Sequence, residues 1–313
     1  MSRGRFHAHT EVHATVKGPL KESAQLQADL TIPILGADYN SLQVRTADPI
    51  HVEYAHSVVT LHPAQFRGNG TSLRVQGSIP LSGMSTLNVR AQGSIDASLF
   101  RIVEPDLTGS GLVSFDVRTT GSMKSPSLQG QVQLQEVALS MANAPLGFGN
   151  LNGLLDIENN RVRISSLSGQ AGGGQFSMAG SILYWPNLQF DVSMQAQAVR
   201  WRHPSGFRML LDSNLALTGN SNASILKGRV LIDNLTFTPD FDLTRLGEQL
   251  GGYRVPQQAG LGNSVKLSIA VQSKERLSAT SSLANVEGHV NLQVVGTAAK
   301  PVVVGRSDLT SGE

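Results

Sequence analysis

The chain contains no cysteine, which removes disulfide staples, thiol nucleophiles and cysteine-based zinc sites in one stroke. Charge is scarce as well. Asp, Glu, Lys and Arg make up 15% of the 313 residues, against about 25% in ordinary soluble domains. The 25 basic and 23 acidic groups nearly cancel. The densest basic group, Arg200, Arg202, His203 and Arg208, falls short of the clustered stripe that nucleic acids require. It reads as a solvated loop, and no nucleic-acid partner is expected. Aromatics are thin at 5%, with two Trp and four Tyr, too few for the girdles of an outer-membrane barrel. No run of about 20 apolar residues occurs, so no segment is expected to cross a bilayer as a helix. Met1-Ser2-Arg3-Gly4-Arg5 leads into strand-like sequence without the apolar core of a secretory leader, and both ends read as cut from a longer parent.

Catalytic constellations are missing too. Carboxylates stand singly at strand ends and turns, there is no G-x-S-x-G elbow, and Gly172-Gly173-Gly174 lacks the Lys-Ser/Thr of a phosphate loop. Neither an enzyme activity nor a cofactor is expected. His7, His9, Glu11 and His13 alternate along one expected strand, and imidazoles so placed can bind zinc. Same-face neighbours on a strand lie about 7 Å apart, so only a subset could share an ion. His7, His9 and His13 are therefore weak metal candidates on a face expected to be solvated.

What the sequence does have is Gly, Ser, Asn, Gln and Thr in quantity, with apolar residues recurring at every second position. Ser, Asn, Gly and Thr are poor inside helices, while Val, Ile and Thr suit the pleated strand. Period-two alternation predicts strands with one buried face. The positions predicted to line that face are Val75, Val89, Phe115, Val117, Val132, Leu134, Ile164, Leu215, Leu217, Val230, Ile232, Leu267, Ile269, Leu292 and Val294. Turn signals such as Gly68-Asn69-Gly70, Gly109-Ser110-Gly111, Asn159-Asn160 and Gly172-Gly173-Gly174 punctuate the strands, which implies roughly 20 strands in meander order.

Two stretches break the period and predict short helices, Asp96–Val103 with Asp96 as N-cap and Asp242–Leu250 with Gly251-Gly252 as its stop. Such helices cannot cover a sheet of this size, so the apolar face must be hidden by curling or by a ligand. Weak internal similarity begins at Gly121, Gly219 and Gly296, with a fainter copy at Gly18. These glycines are read as joints in one continuous segment spanning 1–313, too irregular in spacing for a strict solenoid.

Several short motifs together resemble the TamB branch of the AsmA-like family. They are Gly77-Ser78-Ile79-Pro80-Leu81, Leu87-Asn88-Val89-Arg90-Ala91-Gln92-Gly93, Gly121-Ser122-Met123-Lys124-Ser125-Pro126, Leu151-Asn152-Gly153-Leu154-Leu155, Leu167-Ser168-Gly169-Gln170-Ala171 and Phe241-Asp242-Leu243. The resemblance implies an all-β fold, an elongated antiparallel meander curled into an apolar groove (a β-taco). It also implies a periplasmic location, with the full-length parent anchored in the inner membrane. Phospholipid acyl chains are the implied cargo, alongside outer-membrane protein assembly and secretion with a barrel partner of the Omp85 type. Membrane and barrel contacts are expected through terminal segments outside these residues. About 20 strands at 4.8 Å each would extend on the order of 100 Å. The competing reading is a dry solenoid or sandwich serving as an adhesin or stalk, because an alternating apolar face is more often a plain core.

Overall fold

A computed structural model describes residues 6–19, 25–39, 42–82, 86–102, 104, 106–141, 146–202, 206–237, 263–280 and 285–312. The fold is all-β, with 21 strands and one short 3₁₀ helix among the described residues. The chain divides into two compact units, the first comprising 1–137 and 154–160, the second 138–153 and 161–313. In each, the strands form an open, curled and mostly antiparallel sheet.

The first unit begins with β1 (Phe6–Thr10), β2 (His13–Lys17), β3 (Gln27–Ile32), β4 (Leu35–Tyr39), β5 (Leu42–Thr46) and β6 (Ile50–Ala55). β2 pairs with β3 and β1 with β4, while β3 pairs with β6 and β4 with β5. These six pieces are thus three long strands, each broken in the middle. Proline explains two of the breaks, since it cannot donate to a ladder: Pro33 separates β3 from β4, and Pro49 precedes β6. The next strand, β7 (Val58–Gly68), pairs with both β6 and β5. Its own register against β8 (Thr71–Pro80) slips between Leu61 and Ala64, around Pro63. A crease therefore crosses neighbouring strands at Glu11, Pro33, Pro49 and Pro63, and Glu11 N–H donates to Ile34 O across it at 3.4 Å.

β8, β9 (Leu87–Asp96) and β10 (Leu107–Ser122) continue as a simple meander. Between β9 and β10, the Asp96 carboxylate accepts Ser98 N–H at 2.8 Å and starts the helix Ala97–Ile102, which packs on β10 with Ala97 fully buried. The predicted first helix is present with its predicted cap. Its six residues wind as 3₁₀ rather than α, the usual outcome when so few residues must carry helix nucleation. The second predicted helix, Asp242–Leu250, lies outside the described residues. β11 (Ser125–Met141) and β12 (Phe148–Asn159) each contribute to both units.

In the second unit, β13 (Arg161–Ala171), β14 (Gly174–Leu183), β15 (Gln189–Trp201), β16 (Phe207–Asn220) and β17 (Ser224–Phe237) form an antiparallel meander. β18 (Val265–Ser273) then lies parallel to β17. This departs from the antiparallel expectation, because parallel neighbours need a crossover of a dozen or more residues; residues 238–264 make that connection. β20 (Asn285–Thr297) pairs with β18, with the short β19 (Leu277–Thr280) and with β21 (Lys300–Gly312).

The repeated glycines take one hairpin geometry. Gly121, Gly219 and Gly296 have φ of 95°, 118° and 88° at the approach to a turn, and the glycine nine residues later (Gly130, Gly228, Gly305) has φ of 148°, 148° and 141°. In each case that second glycine lies against the backbone carbonyl of the preceding strand, at Asp116, Asn214 and Asn291. Gly68-Asn69-Gly70 and Gly172-Gly173-Gly174 turn the chain between β7 and β8 and between β13 and β14, whereas Gly109-Ser110-Gly111 sits inside β10.

Candidate functional site, an apolar sheet face

Residues paired directly across strands share a face, so the register alone groups the apolar side chains. In the first unit, Phe66, Leu73, Gly93 and Phe115 form one row and Val75, Ala91 and Val117 the next, followed by Gly77, Val89 and Thr119. Gly130 lies against Val117, and Val132 and Leu134 follow it on the same side of β11.

The rows of the second unit are longer. Ile164, Gly180, Val192, Leu217, Leu226 and Leu267 line up across six strands. The adjacent row runs Leu167, Met178, Met194, Leu215, Gly228, Ile269, Val294 and Val303. A third holds Phe176, Ala196, Ser213, Val230, Val271 and Leu292, and a bulge later Leu211 meets Ile232.

Strand register puts the residues predicted from alternation in these rows or, for Val132 and Leu134, along β11 beyond Gly130. Most are half-buried, while Ile164 and Ile232 are buried. In β11, half-buried Val132 and Leu134 alternate with exposed Gln131, Gln133 and Gln135. Sequence reasoning passed over β14 and β15, which supply Phe176, Met178, Val192 and Met194 to the rows. The alternation Phe190, Val192, Met194, Ala196 would have revealed β15.

The opposite face is polar and cross-linked. Arg90 grips Asp116 with two guanidinium hydrogen bonds of 2.8 and 2.5 Å. Those bonds hold the Asp116 carboxyl below the usual carboxylate range. Both side chains are about half exposed, so water screens most of the attraction. In the second unit Asp212 is the hub. One carboxylate oxygen accepts the N–H of Ala198 at 2.8 Å, and the other meets Lys274 Nζ at 2.6 Å, with Asp233 at 3.7 Å from the same ammonium. Ala198 has φ 54° and sits in the bulge between Ala196 and Val199. Asp212 therefore fixes a strained bulge and ties β16 to the residue just after β18. An open depression of 640 Å³ beside it is lined by Gln195, Gln197, Asn214 and Arg229.

The Lys274 hydrogen bond, and then that of Ala198, lower the Asp212 pKa. A carboxylate depressed on folding adds stability above its unfolded value of about 3.9 and loses it as pH falls through the lower folded value. Asp212→Asn is expected to reduce stability at pH 7 and to flatten the acid limb of a urea-midpoint profile below about pH 4. A variant whose profile runs parallel to that of the parent would refute the clip.

The histidines do not form the arrangement expected of them. His7 and His9 lie on β1 and His13 on β2, with the crease at Glu11-Val12 between them, so no single strand face carries all three. His13 Nε2 contacts Glu11 Oε1 at 2.8 Å, with both side chains more than 60% exposed. Among the described residues no group of three His, Asp or Glu is placed to hold a metal ion, and no helix is long and apolar enough to cross a membrane.

Residues 164–313 match the family model of the TamB C-terminal domain. That part of the chain is similar to the TamB C-terminal domain. No curated protein and no solved structure matches the chain. The TamB match opens at Ile164 in β13 and takes in all the long apolar rows of the second unit. TamB proteins are a non-enzymatic translocation and assembly module of the Gram-negative envelope, working with an Omp85-type partner in outer-membrane protein assembly.

Proposed function

We propose that the apolar face is a conduit surface along which phospholipid acyl chains pass through the periplasm, within a longer parent anchored in the inner membrane. The parent meets its Omp85-type partner through segments outside these residues, and the same scaffold serves outer-membrane protein assembly and secretion. The observation that carries this reading is the continuity of the rows. Within the second unit one row runs from Leu167 in β13 to Val294 in β20, flanked by one from β13 to β18 and another from β14 to β20, and most of these residues are only half-buried. An acyl chain laid on such a surface gains roughly 0.8 kcal/mol per methylene removed from water, and contacts of this kind are non-directional, so the chain can slide.

A photo-crosslinking residue at Phe115, Leu217 or Ile269 is expected to capture phospholipid in cells, whereas one at Asp116, Gln133 or Gln293 on the polar face is not. Native mass spectrometry of the purified chain should show bound phospholipid. Equal capture on the two faces, or a chain free of lipid, would overturn the conduit and favour a dry stalk.

A further inference from the structure

One end of the second unit is made of hairpin tips whose composition differs from the rest of the chain. β14 and β15 are joined through Tyr184, Trp185, Pro186, Asn187 and Leu188. Trp185 is 59% exposed and Tyr184 37%, although Trp is highly buried on average. The tip is held in place. Ser221 N–H of the neighbouring tip donates to Leu188 O at 3.0 Å, and Asn220 Oδ1 accepts the N–H groups of Asn222 and Ala223, each at 2.9 Å. The next elements join the same end, with Ser224 N–H bonded to Ser264 O and Ala298 N–H to Val265 O.

Charge at this end is mostly basic. Arg161 pairs with Leu183, Lys266 with Ile225 and Thr297, and Lys300 with Thr297. Residues 183–189, 219–225, 263–266 and 296–301 contain no carboxylate. Glu158 stands three residues before Arg161 at the end of β12, and Asp191 further in on the polar face of β15, while Asp212, Asp233 and Glu275 belong to the far end of the strands. Among the described residues Arg161, Lys266 and Lys300 have no ion-pair partner.

We propose that this end of the second unit docks on an anionic phospholipid surface, with Trp185 and Tyr184 seated among the headgroups and Arg161, Lys266 and Lys300 facing lipid phosphates. Trp and Tyr join an apolar ring to a polar handle and settle where hydrocarbon meets water, and each nearby Lys or Arg strengthens attachment to an anionic leaflet about fivefold. The tips between them are Asn, Ser and Ala, too small to hold the aromatic pair away from a flat surface. A protein partner fits less well, because it would have to bring its own carboxylates to three dispersed cations. The proposal is independent of the conduit, which uses strand faces rather than tips.

The chain has only two Trp residues, and Trp201 lies at the far end of β15, so Trp201→Phe leaves Trp185 as the sole indole reporter. Titration with phosphatidylglycerol-containing vesicles is expected to shift its emission to the blue and to make it quenchable by lipid brominated near the headgroup. Pure phosphatidylcholine should bind at least tenfold more weakly, and salt should reduce binding to the anionic vesicles. In the parent, the double change Tyr184→Ser with Trp185→Ser should lower vesicle co-sedimentation at least tenfold while lipid capture at Leu217 persists. An unshifted Trp185 in the presence of anionic vesicles, equal binding to neutral ones, or unaltered co-sedimentation of a folded double variant would each overturn it.

Discussion

Aspartate at Leu217 or Ile269 is expected to stop lipid passage almost completely, while alanine at the same positions leaves it nearly intact. Both residues are half-buried in the middle of long apolar rows, so they would meet every chain that slides across the second unit. Alanine removes only a few methylenes from a long contact, each worth roughly 0.8 kcal/mol. A charge acts differently, since the passing chain strips water from a carboxylate that has no partner on this face, at a cost of several kcal/mol. At about 1.4 kcal/mol per decade of rate, flux should fall by a factor on the order of 100 or more. Ile232 is the wrong place for this test. It is only 5% exposed and lies beside the Asp212, Lys274 and Asp233 cluster, so a charge there would probe folding instead. Asp at Gln293, exposed on the polar face, is the matching control. Envelope complementation should fail for inward Asp and survive for outward Asp at equal abundance. Survival of inward Asp would mean that the rows carry nothing.

Period-two alternation made the strands and their apolar faces legible, because a strand with one wet face repeats its choice of side chain every second residue whatever its neighbours are. It worked for Leu215 and Leu217 as for Val75. Register and neighbour order were less visible. The prolines at 33, 49 and 63 are plain in the sequence, yet only strand pairing reveals that they fall on one crease, and it is that crease which parts His9 from His13. The parallel approach of β18 to β17 has no local signal at all, since pairing across residues 238–264 is decided by contacts far apart in sequence. Gly180 interrupts the apolar pattern of β14, which hid Met178 and Phe176 from the predicted lining. Trp185 was noticed only as one of two, because exposure is a property of the folded tip and not of its composition.

Gly228→Ala is expected to be among the most damaging single methyls in the second unit. With φ at +148°, the backbone adopts a conformation that L side chains rarely tolerate, which costs of order 1–3 kcal/mol by itself. Space is the harder limit. A Cβ at Gly228 would stand 2.1 Å from Asn214 O and 2.9 Å from Leu215 Cα, both backbone atoms of the paired strand, so relief requires β16 and β17 to part in the middle of their continuous run of register from Leu211 to Gly219. A total loss of about 3–5 kcal/mol follows, a large share of the roughly 5–15 kcal/mol that holds a domain together. At roughly 2–4 °C per kcal/mol for a unit of this size, Tm should drop by about 10 °C. Gly149→Ala supplies the control, because a Cβ there meets nothing within 4 Å and should change stability by no more than about 0.5 kcal/mol. Gly130→Ala and Gly305→Ala should resemble Gly228→Ala, since their carbonyl contacts and φ values repeat its own. If thermal unfolding ranked Gly149→Ala beside Gly228→Ala, close backbone approach would not be what the glycine nine residues into each hairpin is for, and the repeated hairpin would need another explanation.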